Sequence, residues 1–135
     1  MTPARLQERL DASPFSRFLG LKLMHADAAS NSVVIAMPMR PELERLASTG
    51  QFHGGAIASL IDIAGDFALI LSVGDAVPTI NYRVDYLRPA TGSELRARAT
   101  VRRAGRTVGV VDIDVHDTEQ RLVAVGRGCY GTKPG

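Results

Sequence analysis

Apolar residues recur at intervals of three and four from Gly55 to about Val73, placing Ile57, Leu60, Ile61, Ala64, Ala68 and Leu71 along one side of a helix. Most positions between them are also apolar or small, so the pattern predicts a helix surrounded by other structure rather than lying on a surface. At about 1.5 Å per residue it would be roughly 27 Å long. Further on the period drops to two. In "ELRARATVRRAG" Leu95, Ala97, Ala99 and Val101 alternate with Arg96, Arg98, Thr100 and Arg102. In "RTVGVVDIDVHD" Val111, Ile113 and Val115 share one face, and Val110, Asp112 and Asp114 the other. "PTINYRVDYLRP" and "QRLVAVGRGCYG" read as strands too. The links "RRAGRT" and "HDTEQR" are short enough for hairpins, which makes the last strands an antiparallel meander.

The N-terminal part has shorter elements. Residues 2 to 12, "TPARLQERLDA", predict an amphipathic helix with Thr2 as N-cap, Pro3 at the first helical position and Leu6 and Leu10 on one side. With its flanking residues it makes up the N-terminal helical segment 1–13. "FSRFLGLKLMHADA" predicts a short helical turn and a strand from about Leu21, and "NSVVIAMPM" a second strand after the Ala29-Ser30-Asn31 turn. "RPELERLASTGQF" is a connection holding one turn of helix. A long buried helix and a large antiparallel sheet must pack on each other, so the fold class is α+β. The 135 residues, 45% of them hydrophobic, suit a single domain, 1–135. A chain of this size hides roughly two thirds of its unfolded surface.

Composition narrows the setting. The single cysteine, Cys129, excludes an internal disulfide, and no CxxC or Cys/His cluster offers a zinc site. A reducing, cytosolic location is expected, with no membrane: no continuous apolar run reads as long enough to span a bilayer, and the charged start does not suit a secretory signal. The net charge of +2 is uneven, with six basic and eight acidic side chains in residues 1–80 against ten and six in residues 81–135. Of the 16 cationic residues 14 are arginine, the type suited to forked binding of phosphate. Most of these arginines read as solvated strand faces. Nucleic acid is a poor partner, since there is no Trp and aromatics make up 5% of the chain, whereas bases need stacking platforms.

Three candidate motifs fall away. "GRGCYG" matches the spacing G-x-G-x-x-G, but that motif needs a helix after it, and only four residues follow Gly131. Cys129 lies in a strand-like run with no base beside it. His25 and His116 have no partners that the sequence assigns. What remains is "GQFHGGAIASLIDIAGDFALIL", where Asp62 and Asp66 sit one turn apart in a helix with little other polarity. No histidine at matching spacing supports a metal site there. Burying a carboxylate costs several kcal/mol unless it is paired or protonated, which points to use.

His53-Gly54-Gly55 stands where that helix begins, so free N–H groups and the positive end of the helix dipole point outward. Such donors can hold a developing oxyanion, and glycines let a carbonyl approach the backbone. Gly54 and Asp62 are eight residues apart, or roughly 12 Å along one helix. A donor and an attacking group must both come within about 3 Å of one carbonyl. If the two cooperate, they belong to two antiparallel copies of the helix across a two-fold axis, in an obligate dimer with two shared sites.

"HGG", the aspartate nine positions after its histidine in "HGGAIASLID", and the strand ending "VDYLRPA" together resemble the hotdog-fold acyl-CoA thioesterases, in the branch of the phenylacetate-degradation thioesterase. The similarity runs from about Phe18 to Tyr130. The resemblance implies a hotdog fold, a long central helix wrapped by an antiparallel sheet, in homodimers that pair into homotetramers with sites shared across the dimer. It also implies roles for residues. Gly54 N–H would polarise the thioester carbonyl, His53 shape the turn, and Asp62 of the partner act as nucleophile or general base, with Thr79 positioning water or the carboxylate. Arg88, Arg103 and Arg106 would meet the coenzyme A phosphates at the sheet rim. Gly55, Gln51 and Asp66 are further candidates for the substrate side of the site, and for Asp66 the resemblance supplies no role. Where the family commonly has Asn or Gln, six residues before the histidine, this chain has Ala47, with Gln51 or Thr49 as substitutes. The charge of Asp66 would tend to raise the pKa of Asp62.

Hydrolysis of a thioester needs only a polarised carbonyl and carboxylate attack or carboxylate-activated water, because the thiolate leaves readily. No cofactor is expected, coenzyme A being part of the substrate. The leading expectation is hydrolysis of aryl- or medium-chain acyl-CoA. Two alternatives are a hotdog dehydratase or hydratase, disfavoured because His53 belongs to the glycine turn, and a non-catalytic acyl-CoA-binding or regulatory subunit, motivated by Ala47.

Overall fold

The computed structural model describes residues 1–75 and 77–133. The chain opens with α1 (Pro3–Ala12), whose first turn is closed by Thr2 Oγ1 accepting the Arg5 N–H at 3.2 Å, and which buries Leu6 and Leu10. Ser13 ends α1 and caps α2 (Pro14–Leu19), and Gly20, at φ 70°, turns the chain into the sheet. Gln7 ties α1 down by accepting the Leu23 N–H at 2.8 Å.

Six strands follow: β1 (Lys22–Asp27), β2 (Ser32–Pro38), β3 (Thr79–Tyr86), β4 (Glu94–Ala104), β5 (Val108–His116) and β6 (Leu122–Gly131). They form one antiparallel sheet in the order β1-β2-β4-β5-β6-β3. The meander β4-β5-β6 is the one the short links predicted. β3 does not join β4, its neighbour in sequence. It closes the far edge beside β6.

Between β2 and β3 runs α3 (Gly54–Val73), the predicted long helix, one residue longer at its start. Gly74, at φ 81°, ends it by donating to the Ile70 carbonyl at 2.7 Å. By length and composition α3 is apolar enough to cross a membrane, which corrects the expectation that no such segment exists. Its apolar side is instead taken up by the sheet: Ile57, Leu60, Ile61, Ala64 and Ala68 pack with Leu95, Ala97, Ala99, Val111, Ile113 and Val115 in one core. These are the faces that the three- and two-residue periods predicted.

The rejected "GRGCYG" glycines have a packing reason. A Cβ at Gly126 would lie 2.6 Å from Ile61 Cγ2, and one at Gly128 would lie 2.6 Å from the Tyr130 ring. At Gly126 α3 crosses β6 and a methyl group would press on Ile61, whereas at Gly128 it would displace the Tyr130 ring of the same strand.

Candidate active site

The approach to α3 is pinned on both sides. Phe52 N–H donates to Ala90 O at 2.8 Å and His53 N–H to Leu43 O at 2.7 Å. Ahead of them the 44–52 loop folds back on itself, with Glu44 bridging to Phe52 and the Glu44 carboxylate accepting the Gly50 N–H at 2.7 Å. His53 is the N-cap: its Nδ1 accepts the Gly55 N–H at 2.8 Å. The Ala56 and Ile57 N–H groups turn back to His53 O. That leaves the Gly54 N–H, which has no acceptor among the described residues, at the positive end of a twenty-residue helix.

Gly54 opens into a groove of about 510 Å³ lined by Phe52, Ile57, Tyr86, Leu87, Pro89 and Ala90, with Arg45, Gln51 and Arg88 among the remaining walls. Tyr86, which sequence reasoning missed, donates its hydroxyl to Gly54 O at 2.7 Å. A larger depression, of about 600 Å³, lies on the outer face of the sheet among Arg83, Arg98, Arg102 and Arg127. There the guanidinium groups meet carboxylates of the same face, Arg127 with Asp112 at 2.6 Å and Arg83 with Asp85 at 3.2 Å. Those arginines form the solvated strand face that the composition suggested.

α3 and β3 run side by side in opposite directions, so Gly54 lies beside Tyr86 and Asp62 beside Thr79. The Thr79 hydroxyl donates to Asp62 Oδ1 at 2.7 Å. Asp62 does not line the Gly54 groove. It lies on a stripe of α3 turned away from the sheet, formed by Gly55, Ala58, Ser59, Asp62, Ile63 and Asp66, none of them fully buried. The inner face of β3 extends beyond the helix and exposes Tyr82 and Tyr86. Burial, with the charge of Asp62 second, raises the pKa of the Tyr82 phenol above its ordinary range.

Asp66 is the deeper carboxylate. It accepts the Val77 backbone N–H, while its Oδ1 is buried with no hydrogen-bond partner. Burial first, and the charge of Asp62 second, raise its pKa to about 7, against the opposing pull of Val77 N–H and Arg9.

The structure thus brings His53, Gly54, Gly55, Gln51 and Arg88 together at one end of α3, and Asp62, Asp66 and Thr79 together further along it. Gly55 spends its N–H on His53. Within one chain Arg103 and Arg106 lie apart from Arg88, at the β4–β5 turn, whose next residues pack at Leu69 near the far end of α3. Gln51 and Thr49, the substitutes for the polar residue missing at Ala47, both hold the loop. Gln51 accepts from Arg45 Nε at 2.7 Å, and Thr49 donates to Leu46 O at 2.6 Å. Ala47 itself is exposed. Among the described residues no three His, Cys, Asp or Glu side chains converge on a possible metal.

The model of the thioesterase superfamily matches residues 49–124, more than half of the chain and the whole of α3 with its flanking site. The chain belongs to that superfamily and is a thioester hydrolase. It is 30% identical to the medium/long-chain acyl-CoA thioesterase YigI of Escherichia coli, over 87% of this chain and 84% of that one. It is 32% identical to the acyl-coenzyme A thioesterase PaaI of the same species, over 84% and 78% respectively. Superposition on the PaaI structure, from the phenylacetic acid degradation operon, gives a TM-score of 0.81 at 26% identity, covering 99% of this chain and 97% of that one. A crystal structure of another thioesterase-superfamily protein superimposes at a TM-score of 0.89 with 35% identity and 96% coverage of each chain. The fold is therefore the hotdog that the resemblance implied.

Proposed function

We propose that the protein hydrolyses aryl- or medium-chain acyl-CoA to free acid and coenzyme A, as a soluble cytoplasmic homodimer that pairs into a dimer of dimers. The names of the E. coli relatives support the acyl-CoA class, and the apolar walls of the Gly54 groove suit an aryl or alkyl chain. The observation that carries the reading is the separation of two complementary halves: a free Gly54 N–H in a groove without Asp62, and Asp62 on a helix stripe that the chain's own sheet leaves uncovered. A second α3, antiparallel across a two-fold axis, covers that stripe and sets Asp62 of the partner subunit against Gly54. Gly55, Ala58 and Ser59 are small enough for the helices to approach closely.

In the shared site the thioester oxygen accepts the Gly54 N–H, which steadies the negative charge growing on it. The partner's Asp62 takes a proton from water that attacks the carbonyl carbon, or attacks it directly to give an anhydride that water then cleaves to the free acid, and in either case coenzyme A leaves as the thiolate. Thr79 occupies Oδ1 of Asp62 and leaves Oδ2 for this work. The phosphates of coenzyme A are met by Arg88 at the groove and by Arg103 and Arg106 reaching in from the partner's hairpin.

The test is thiol release from a panel of aryl- and straight-chain acyl-CoA substrates by wild type and Asp62→Asn. Turnover by wild type, lost in a variant that is still dimeric on gel filtration, is the expected result. Unchanged turnover in Asp62→Asn removes that residue from the mechanism. A wild type inert to the whole panel favours the acyl-CoA-binding reading.

A further inference from the structure

We propose that Tyr130 is a positioning residue which, with Thr79, clamps Asp62 from its backbone and its side chain at once. The inference rests on the proposed role of Asp62. Tyr130 and Thr79 are direct partners across the β3–β6 ladder. From these adjacent positions Thr79 donates to the Asp62 carboxylate at 2.7 Å, and Tyr130 donates to the Asp62 main-chain oxygen at 3.0 Å. One residue of α3 is held at two atoms by one registered pair of hydroxyls.

Three features show that the hold is built for this place. The Tyr130 side chain is fully buried, so its hydroxyl has been taken from water to reach a single acceptor. That acceptor sits inside a helix, where the Asp62 oxygen already receives the Asp66 N–H one turn on, so the backbone needs no second donor to be satisfied. And the ring lies in a slot made by two missing side chains: a Cβ at Gly65 would overlap the Tyr130 hydroxyl, and one at Gly128 would lie 2.6 Å from the ring. Gly65 stands mid-helix, where glycine weakens the helix relative to alanine. The slot offsets that loss by admitting the tyrosine. Burial, then the charges of Asp62 and Asp66, hold the phenol above its ordinary pKa, so it remains a donor.

A carboxylate that attacks a carbonyl must be placed closely, and small displacements far from the chemistry slow such steps severely. Thr79 alone orients the carboxylate but leaves the helix free to shift beneath it. Tyr130 removes that freedom.

Tyr130→Phe deletes the hydroxyl and keeps the ring in its slot. In the full-length enzyme, kcat is expected to fall about tenfold, equivalent to roughly 1.4 kcal/mol, with KM within about twofold of wild type. Combined with Thr79→Ala, the loss is expected to be smaller than the product of the two single losses. Wild-type kcat in Tyr130→Phe overturns the proposal, as does a loss carried by KM. Hydrogen exchange at the Asp66 amide, bonded to the clamped oxygen, is a readout without turnover: faster exchange in Tyr130→Phe supports the clamp, and unchanged exchange overturns it. If the wild type hydrolyses nothing, the functional reading fails, and the exchange result alone decides the clamp.

Discussion

The two faces of α3 obey different rules. Toward the sheet stand Ile57, Leu60, Ile61, Ala64 and Ala68, each at most 3% exposed, and they are interchangeable in kind because only volume and apolarity matter there. Away from it stand Gly55, Ala58, Ser59, Asp62, Ile63 and Asp66, where size, charge and bare backbone vary position by position. The first face explains why the helix is where it is. On the proposed dimer reading the second is a surface for a second helix and a substrate, and so two sets of substitutions should separate cleanly, one costing stability and the other costing turnover.

The sharpest break is at Gly54. Proline is tolerated at the first position of a helix, and His53 at φ −63° and ψ 139° already has the extended backbone a following proline requires. Gly54→Pro therefore deletes one N–H and little else. We expect kcat to fall about 10²- to 10³-fold, as for loss of one oxyanion donor. Gly54→Ala is the control, because it keeps the N–H while making the same crowded approach to the Tyr86 ring, 3.3 Å from the new Cβ. Mixing Gly54→Pro with Asp62→Asn subunits tests the shared site directly. Random reassortment leaves one intact site in each mixed dimer, so activity should return to about a quarter of wild type. No recovery, with exchange of subunits verified, would place both groups in one chain.

On the opposite face, Leu60→Ala leaves a cavity where Leu60 is completely buried and should destabilise the fold by about 2–5 kcal/mol. kcat per folded enzyme should stay near wild type. Thermal melts beside active-site-normalised rates check the separation, and an equal loss of kcat would mean the two faces are not independent.

How much of this was legible in the sequence follows from the same contrast. Ile57 to Leu71 announce their helix because apolar burial repeats with the backbone, and Leu95 to Val101 announce a strand for the same reason. Asp62 and Gly54 stood out because they break those patterns. Thr79 enters the candidate site through the resemblance alone and Tyr130 not at all, because neither breaks a pattern: that they face one residue of α3 depends on the β3–β6 register, including the shift between Thr79 and Asn81, which local sequence does not encode. That Arg103 and Arg106 come to rest away from Arg88 in one chain was not legible either, because residue type alone does not say at which end of a 20-residue helix an arginine lies. Tyr82 and Tyr86 gave a readable sign, since with Val84 they alternate along β3, yet the alternation predicts a covered apolar face, whereas both tyrosines stand exposed in the single chain.

The smallest effect belongs to Asp66, whose carboxyl is half of the question posed by two aspartates in one apolar helix. Its pKa is raised to about 7 by burial and then by Asp62, whereas an unfolded chain ionises aspartate near 3.9. Between these values the folded protein keeps a proton that the unfolded chain has released. The stabilisation is complete below about pH 4 and is lost as the pH rises through about 7, with a slope of at most about 1.4 kcal/mol per unit. Asp66→Asn keeps an oxygen for the Val77 N–H and removes the titration. Its melting temperature should track wild type near pH 4 and exceed it by a margin that grows up to about pH 7, while kcat, measured near pH 5 where the folded Asp66 is still protonated, changes little. Parallel melting curves for the two proteins across that range would mean that Asp66 is already ionised and paired in the dimer. The second aspartate would then serve the interface, with no part in setting the proton inventory beside Asp62.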